Sequence, residues 1–222
     1  MALLISLLLS LSTLASTSPE TELQWAICDS RSGLEIMKLL AKSSFIKQET
    51  QVTYFESSRI EYLAKGLSFR RKKGKKDISV VKVRTPAFNT EANKIQCERD
   101  RYGDEELESC KLEHEITGRE VFSQDQKKFV EQEARVDWSG LKAFGPHPTL
   151  EYTWRDAVMG SFAIEELRPK NLTPVIELSN RVRTVFSRER YFKITELLKE
   201  KGILLCEKQE GKANRFFRQI QP

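Results

Sequence analysis

The chain of 222 residues is long enough for one medium domain, with 39% apolar residues, 31% charged residues and a formal net charge of +5. That balance permits a packed core and excludes the uniformly basic profile of a duplex-DNA binder. The modest total hides an asymmetry: residues 65–84 hold nine Lys or Arg against one acid, whereas residues 98–120 carry a net charge of about −5.

Residues 1–15 (MALLISLLLSLSTLA) are apolar and then small, with no charge before Glu20. The run is short for a bilayer span and reads as a secretory signal, with Thr13-Leu14-Ala15 as the cleavage site. It has no leading Lys or Arg, so an uncleaved anchor or a misassigned start are the alternatives. With residues 1–19 as leader, residues 20–222 form the domain. A secreted or periplasmic location is expected, with no transmembrane segment in the mature protein. The four cysteines, Cys28, Cys97, Cys110 and Cys206, form no CxxC pair and the chain has two histidines, which argues against a zinc site. Export permits disulfides: Cys97 and Cys110 lie symmetrically about Tyr102-Gly103-Asp104, which leaves Cys28 with Cys206. Four buried thiols are the alternative.

Residues 21–28 (TELQWAIC) alternate polar and apolar side chains as a first strand. In residues 30–42, Leu34, Met37, Leu40 and Ala41 share a helical face, with Ser30 or Ser32 as cap. Residues 49–58 (ETQVTYFESS) are rich in β-branched and aromatic side chains, a second strand. After a short connecting turn, residues 67–84 (LSFRRKKGKKDISVVKVR) read as two strands around Gly74. Alternation puts Arg70 and Lys72 on one face of the first, and Val80, Lys82 and Arg84 on one face of the second. Those four cations can line a concave polyanion site. A solvated ribbon that protects a sheet edge is the alternative, and it accounts better for Lys73, Lys75 and Lys76.

Residues 86–91 make a loop, and residues 94–101 and 109–117 form a second hairpin, acidic where the first is basic. Residues 124–135 are an amphipathic helix, with Phe129, Val130 and Phe122 facing inward. Gly145-Pro146-His147-Pro148 is expected to break the chain before three strands at 150–156, 161–168 and 173–182. A helix at 187–202, capped by Ser187 and stopped by Gly202, leads into a tail that reads as a short final hairpin. Arg155, Arg181 and Arg183 are further candidates for the wall of a site, while Trp25, Phe55, Tyr152 and Trp154 are expected to fill core outside it. The fold class is α+β: an antiparallel β-barrel of eight or more strands, closed or nearly so, with peripheral helices.

The order of these motifs resembles the triphosphate tunnel (CYTH-like) superfamily over roughly residues 21–182. Tyr54-Phe55-Glu56-Ser57 is similar to its YFDT-like strand. Leu67-Ser68-Phe69-Arg70-Arg71-Lys72 is similar to its L-R-x-R strand, and Val80-Val81-Lys82 to its T-L-K strand. Gln96-Cys97-Glu98-Arg99-Asp100 stands where that family carries R-x-E-x-E, and Val175-Ile176-Glu177-Leu178-Ser179 partly matches its late E-x-E strand. The resemblance implies a tunnel whose inward Lys and Arg hold a triphosphate or polyphosphate and whose inward acids hold Mg²⁺ or Mn²⁺. Arg70, Lys72 and Lys82, joined by Arg84, are then the phosphate ligands. Glu22, Glu98, Asp100 and Glu177 are the metal ligands, with Glu98 and Asp100 as the catalytic pair.

The departures bear on activity. The family's first strand reads E-x-E-x-K, whereas Glu22-Leu23-Gln24-Trp25-Ala26 keeps only the first acid, and Ser179 replaces the second acid of the late strand. The expectation is therefore an exported binder of triphosphate or polyphosphate, with metal-dependent hydrolysis as its enzymatic form. The alternative is a non-catalytic polyanion-binding or interaction module with a degenerate metal site.

Overall fold

The computed structural model describes residues 20–41, 44–84 and 95–221; the expected leader and the 86–91 loop lie outside these residues. Nine strands are present: β1 (Glu20–Ile27), β2 (Ile46–Glu56), β3 (Leu67–Lys73), β4 (Asp77–Arg84), β5 (Gln96–Tyr102), β6 (Glu105–Glu115), β7 (Lys142–Asp156), β8 (Gly160–Leu167) and β9 (Val175–Arg183). They close into one barrel in the order β1-β5-β6-β4-β3-β2-β7-β8-β9.

The barrel is mixed, not wholly antiparallel. β1 runs parallel to β5, with Glu22 opposite Asp100 and Gln24 opposite Tyr102, and the other neighbours are antiparallel. An odd number of strands cannot alternate direction all the way round a closed ring, so one parallel pair is obligatory. It falls here because β6, not β5, pairs with β4, which turns the acidic hairpin round in the wall.

Five helices surround the barrel: α1 (Gly33–Leu40), α2 (Glu61–Ala64), α3 (Gln124–Glu131), α4 (Ser187–Glu200) and α5 (Lys212–Arg218). Capping boxes start two of them: Ser32 with Glu35 on α1, and Ser123 with Gln126 on α3. Ser187 is not the cap of α4; it is the first helical residue, is buried, and follows Phe186 in the cap position. Helices α1 and α4 cover the outer face of β1, β7, β8 and β9, burying Trp25, Ile36, Tyr152, Trp154, Ile164 and Leu178 between them. Trp25 stacks on Tyr191 of α4 at 4.7 Å and its indole N–H donates to the Thr195 hydroxyl at 2.8 Å. A second core beneath α3 joins Phe69, Val81, Phe122, Phe129 and Val130. Most large aromatic side chains thus pack the outside of the wall, although Tyr54, Tyr102, Trp154 and Phe162 also reach the lining of its interior.

Two expected features differ. Gly145-Pro146-His147-Pro148 does not break the chain but lies within β7, where the register with β2 shifts between Val52 and Tyr54. The irregularity absorbs residues that cannot donate to a regular ladder. Gly145 is required there, because a Cβ would stand 2.8 Å from the Val52 carbonyl oxygen. The tail is not a hairpin. It touches β1 through an isolated bridge, Ile27 to Leu205, and then forms α5, which buries Ala213, Phe216 and Phe217 against Tyr54, Leu167 and Val175. Those three apolar residues are spaced three and four apart, the helical period.

All four cysteines are paired, as Cys28–Cys206 and Cys97–Cys110. The first spans 178 residues and the second 13. Chain-entropy arguments assign about 5 and about 3 kcal/mol to loops of those lengths. The Cys28→Ser/Cys206→Ser variant is therefore expected to lose more stability in urea melts than Cys97→Ser/Cys110→Ser. Equal losses would show that the long cross-link does not restrain the unfolded chain.

Candidate functional site

Period-two alternation in the closed wall sends every second side chain inward. Ser68, Arg70 and Lys72 point in from β3, and Ile78, Val80, Lys82 and Arg84 from β4. Glu22 and Gln24 come from β1, Glu98 and Tyr102 from β5, Glu165 from β8, and Glu177, Ser179 and Arg181 from β9. Together they line a cavity of about 730 Å³. One end opens beside Arg155, Ser161 and Arg181, which are exposed. At the other end α5 closes the barrel, with Lys212 and Ala213 forming part of the lining.

Near β1 and β5 three acids converge. Carboxylate oxygens of Glu22, Glu98 and Asp100 lie within 4.8 Å of one another, the one such cluster among the described residues. Asp100 is fully buried and accepts from Lys82 Nζ at 2.6 Å and Gln24 Nε2 at 3.2 Å. The Gln24 amide also donates to Glu22 at 3.1 Å, while its oxygen accepts from the Tyr102 hydroxyl. A second glutamate at position 24 would add negative charge; the amide instead ties two carboxylates together. Arg181 bridges Glu98 at 3.1 Å and Glu22 at 3.5 Å. Burial and the charge of Glu22 nevertheless raise the Glu98 carboxyl above its ordinary pKa, against the pull of Lys82, Arg181 and Lys111.

Across the cavity the basic hairpin presents Arg70, Lys72, Lys82 and Arg84, as alternation requires. Burial works against the Arg70 charge, but Glu165, Tyr54 and Glu113 raise its pKa. Glu165 favours the charged form of Lys72, yet burial with Arg70 and Lys212 nearby lowers its pKa overall. Of the outward cations on this hairpin, Arg71 pairs with Asp77 and Lys76 with Glu115, so these serve the ribbon itself.

Glu177 stands apart from the other three expected metal ligands. It faces into the cavity opposite Ala26 in the register, and it is held by Lys212, whose Nζ lies 2.7 Å from Glu177 Oε1 and 2.9 Å from Glu165 Oε2. Burial alone would push the Glu165 carboxyl up, but Lys212, Lys72 and Arg70 hold it well below the usual carboxylate range. In the same way burial opposes the Lys212 charge, and Glu165 and Glu177 raise its pKa far above the ordinary lysine value.

Sequence reasoning missed Lys212 and Glu165. Glu165 falls on the inward set of β8, so alternation was an available signal. Lys212 is delivered by the tail: Gln209 pairs with both backbone groups of Ala26, and Arg215 donates to the Ile176 and Ile27 carbonyls at 2.6 and 2.7 Å. Gly211 allows the final approach, since a Cβ there would stand 2.7 Å from Arg84 Nη2 and 3.0 Å from the Tyr102 oxygen. Of the further wall candidates, Arg155 and Arg181 line the cavity, whereas Arg183 lies beyond the lining at the end of β9.

A closed barrel with cations on one wall, acids on another and a charged interior defines the class: the chain has the fold of the CYTH-like triphosphate tunnel proteins. Two solved structures show the likeness. The Hippeastrum protein HpAC1, a proposed adenylyl cyclase described as having a dominant triphosphatase activity, is 14% identical, with 89% of this chain and 94% of that chain covered at a TM-score of 0.62. A proposed adenylate cyclase from Bacillus halodurans is 13% identical, with 90% of this chain and 98% of that chain covered at a TM-score of 0.56. No protein-family model and no curated protein sequence matches the chain.

Proposed function

We propose that the tunnel binds a triphosphate or short polyphosphate and hydrolyses it with the help of Mg²⁺ or Mn²⁺, in a protein exported by its apolar leader. The observation that carries this reading is the meeting of Arg70, Lys72 and Lys82 in one cavity with Glu22 and Glu98, which Asp100 backs from beneath the lining. Phosphoryl transfer asks a protein for charge neutralisation and in-line positioning more than for covalent help. Arg70 and Lys72 would grip phosphate oxygens, Arg with a planar fork and Lys as a point charge. Lys82 is shared between Asp100 and the cavity, and it can turn to phosphate as the acids engage a cation.

Three carboxylates within a few ångströms suit a hard cation, and burial with the Glu22 charge beside it raises the Glu98 carboxyl above its ordinary pKa. Glu22, Glu98 and Asp100 would hold the ion, which supplies Lewis-acid polarisation and a more acidic bound water. The apolar run at residues 1–15 and the two disulfides would suit export to an oxidising compartment.

Purified protein incubated with tripolyphosphate and Mn²⁺ or Mg²⁺ should release phosphate, and Glu98→Gln should abolish the release. Protons compete for Glu98, so activity should fall as pH drops through its raised pKa. A second reading, a binder without turnover, draws on Gln24 in place of an acid and on Lys82 and Arg181 already neutralising the cluster. Tight tripolyphosphate binding with no phosphate release under either ion would decide for it.

A further inference from the structure

Exposed large apolar side chains ordinarily stand singly on a protein surface. Here Val158, Val185, Phe186 and Phe192 are 74%, 78%, 42% and 48% exposed, and they gather at one corner. Val158 sits in the β7–β8 turn, whose Val158 carbonyl accepts from Arg190 Nη1 at 3.3 Å, so the turn rests against the first turn of α4. Val185 and Phe186 occupy the 3₁₀ turn feeding that helix, and Phe192 lies in the helix's second turn. None of the four belongs to a buried core cluster.

The charges around them are mostly of one sign. The Arg183 guanidinium lies 4.9 Å from the Phe186 ring centroid and that of Arg188 lies 5.9 Å from Phe192. Arg190 and Lys193 complete the rim, with Arg155 and Arg181 beside it, against Glu189, Asp156 in the Val158 turn and Glu20. Two copies of this chain meeting through the same face would set cation against cation. An anionic surface would not, and apolar side chains interleaved with arginines fit the boundary between headgroups and acyl chains. The start of the domain lies here too: Glu20 is opposite Arg183 in the register, and the Thr21 hydroxyl donates to that of Thr184 at 3.0 Å.

We propose that this corner docks on an anionic bilayer, with Val158, Val185, Phe186 and Phe192 entering the interfacial layer and Arg183, Arg188, Arg190 and Lys193 engaging phosphate-bearing headgroups. Arg181, two residues before Arg183 on β9, is at the open mouth of the tunnel. Docking would turn that mouth toward the headgroups. This inference does not depend on hydrolysis in the tunnel.

The test uses the chain from Glu20, which retains each described strand and helix and both disulfides, so that the leader cannot bind in place of the corner. Vesicles of phosphatidylcholine alone and with one-third phosphatidylserine are sedimented with the protein. Co-sedimentation is expected with the anionic vesicles, weakening at high salt, and absent with neutral ones. Val185→Ser/Phe186→Ser/Phe192→Ser should abolish it, and Arg183→Gln/Arg188→Gln should weaken it at least about tenfold, with melting temperatures unchanged. Wild-type protein left in the supernatant would overturn the proposal. So would binding that both variants retain, or a solution dimer dispersed by the serine substitutions, which would make the corner a self-association face.

Discussion

Replacing Lys212 with methionine is expected to cost the protein about 3–5 kcal/mol at neutral pH, the range for breaking a buried ion pair by removing one partner. Lys212 is the cation within 3 Å of both Glu165 and Glu177, and all three side chains are largely withdrawn from water. Methionine keeps the length and apolar stem and removes the charge, leaving two carboxylates facing each other behind α5. The pH dependence gives the cause away. Glu165 is held below its ordinary value of 4.5, so its contribution is present above that value and is lost as pH falls toward the folded pKa. Lys212 is raised above 10.5, so its contribution is present below that value and is lost as pH rises through the folded pKa. Between these limits the wild type is fully stabilised. In the variant the burial of Glu165 is no longer opposed by the ammonium, its carboxyl moves up, and acidification relieves the folded state by neutralising it. Urea melts at pH 7 and near pH 4 should therefore show the difference between the two proteins shrinking in acid. A difference that stays constant would mean that methionine harms packing and that Glu165 does not need Lys212 to remain ionised.

The barrel and the inward set of residues were legible because period-two alternation is local. Phe69 and Arg71 against Arg70 and Lys72, or Leu178 against Glu177, assign faces from neighbours alone, and closure then points one face inward. What closure costs in strand direction was not legible, since it depends on the ring closing with an odd number of strands, and which strand runs parallel to β1 depends on β6 lying beside β4. Pro146 and Pro148 read as a break because proline removes a ladder donor, yet β7 runs through them where its register with β2 slips. The helix α5 was hidden by its length. Seven residues are too few to hold a helix in water, and Phe216 and Phe217 are stabilised by Tyr54 and Phe144, residues far away in sequence. The site inherits that division. Glu22, Glu98 and Asp100 follow from strand motifs, while the Lys212 contact to Glu177 follows from a tail whose path is set by Cys206, Gln209 and Arg215.

If the tunnel binds as proposed, tripolyphosphate should stabilise the protein, and removing Arg70 and Lys82 is expected to abolish that stabilisation, provided the acids are treated with them. A charge-assisted hydrogen bond contributes about 1.5–3 kcal/mol, so Arg70→Ala should weaken tripolyphosphate by about 10- to 100-fold. Lys82→Met cannot be read so simply, because Asp100 is completely buried and Lys82 is its cation at 2.6 Å. Taking Lys82 alone leaves that carboxylate with the Gln24 amide, and the loss of stability would be confused with a loss of binding. Adding Asp100→Asn removes the orphaned charge and keeps an oxygen for the amide. The variant Arg70→Ala/Lys82→Met/Asp100→Asn should then melt near the wild type without ligand. Wild-type protein at a hundredfold excess of tripolyphosphate over Kd gains about 2.7 kcal/mol, and a site weakened by about a thousandfold gains almost nothing. Thermal melts with and without tripolyphosphate measure both quantities in one series. If the triple variant kept the ligand-induced rise, the phosphate would have to be held elsewhere in the cavity, by Lys72, Arg84 or Lys212, and the basic hairpin would not be the grip.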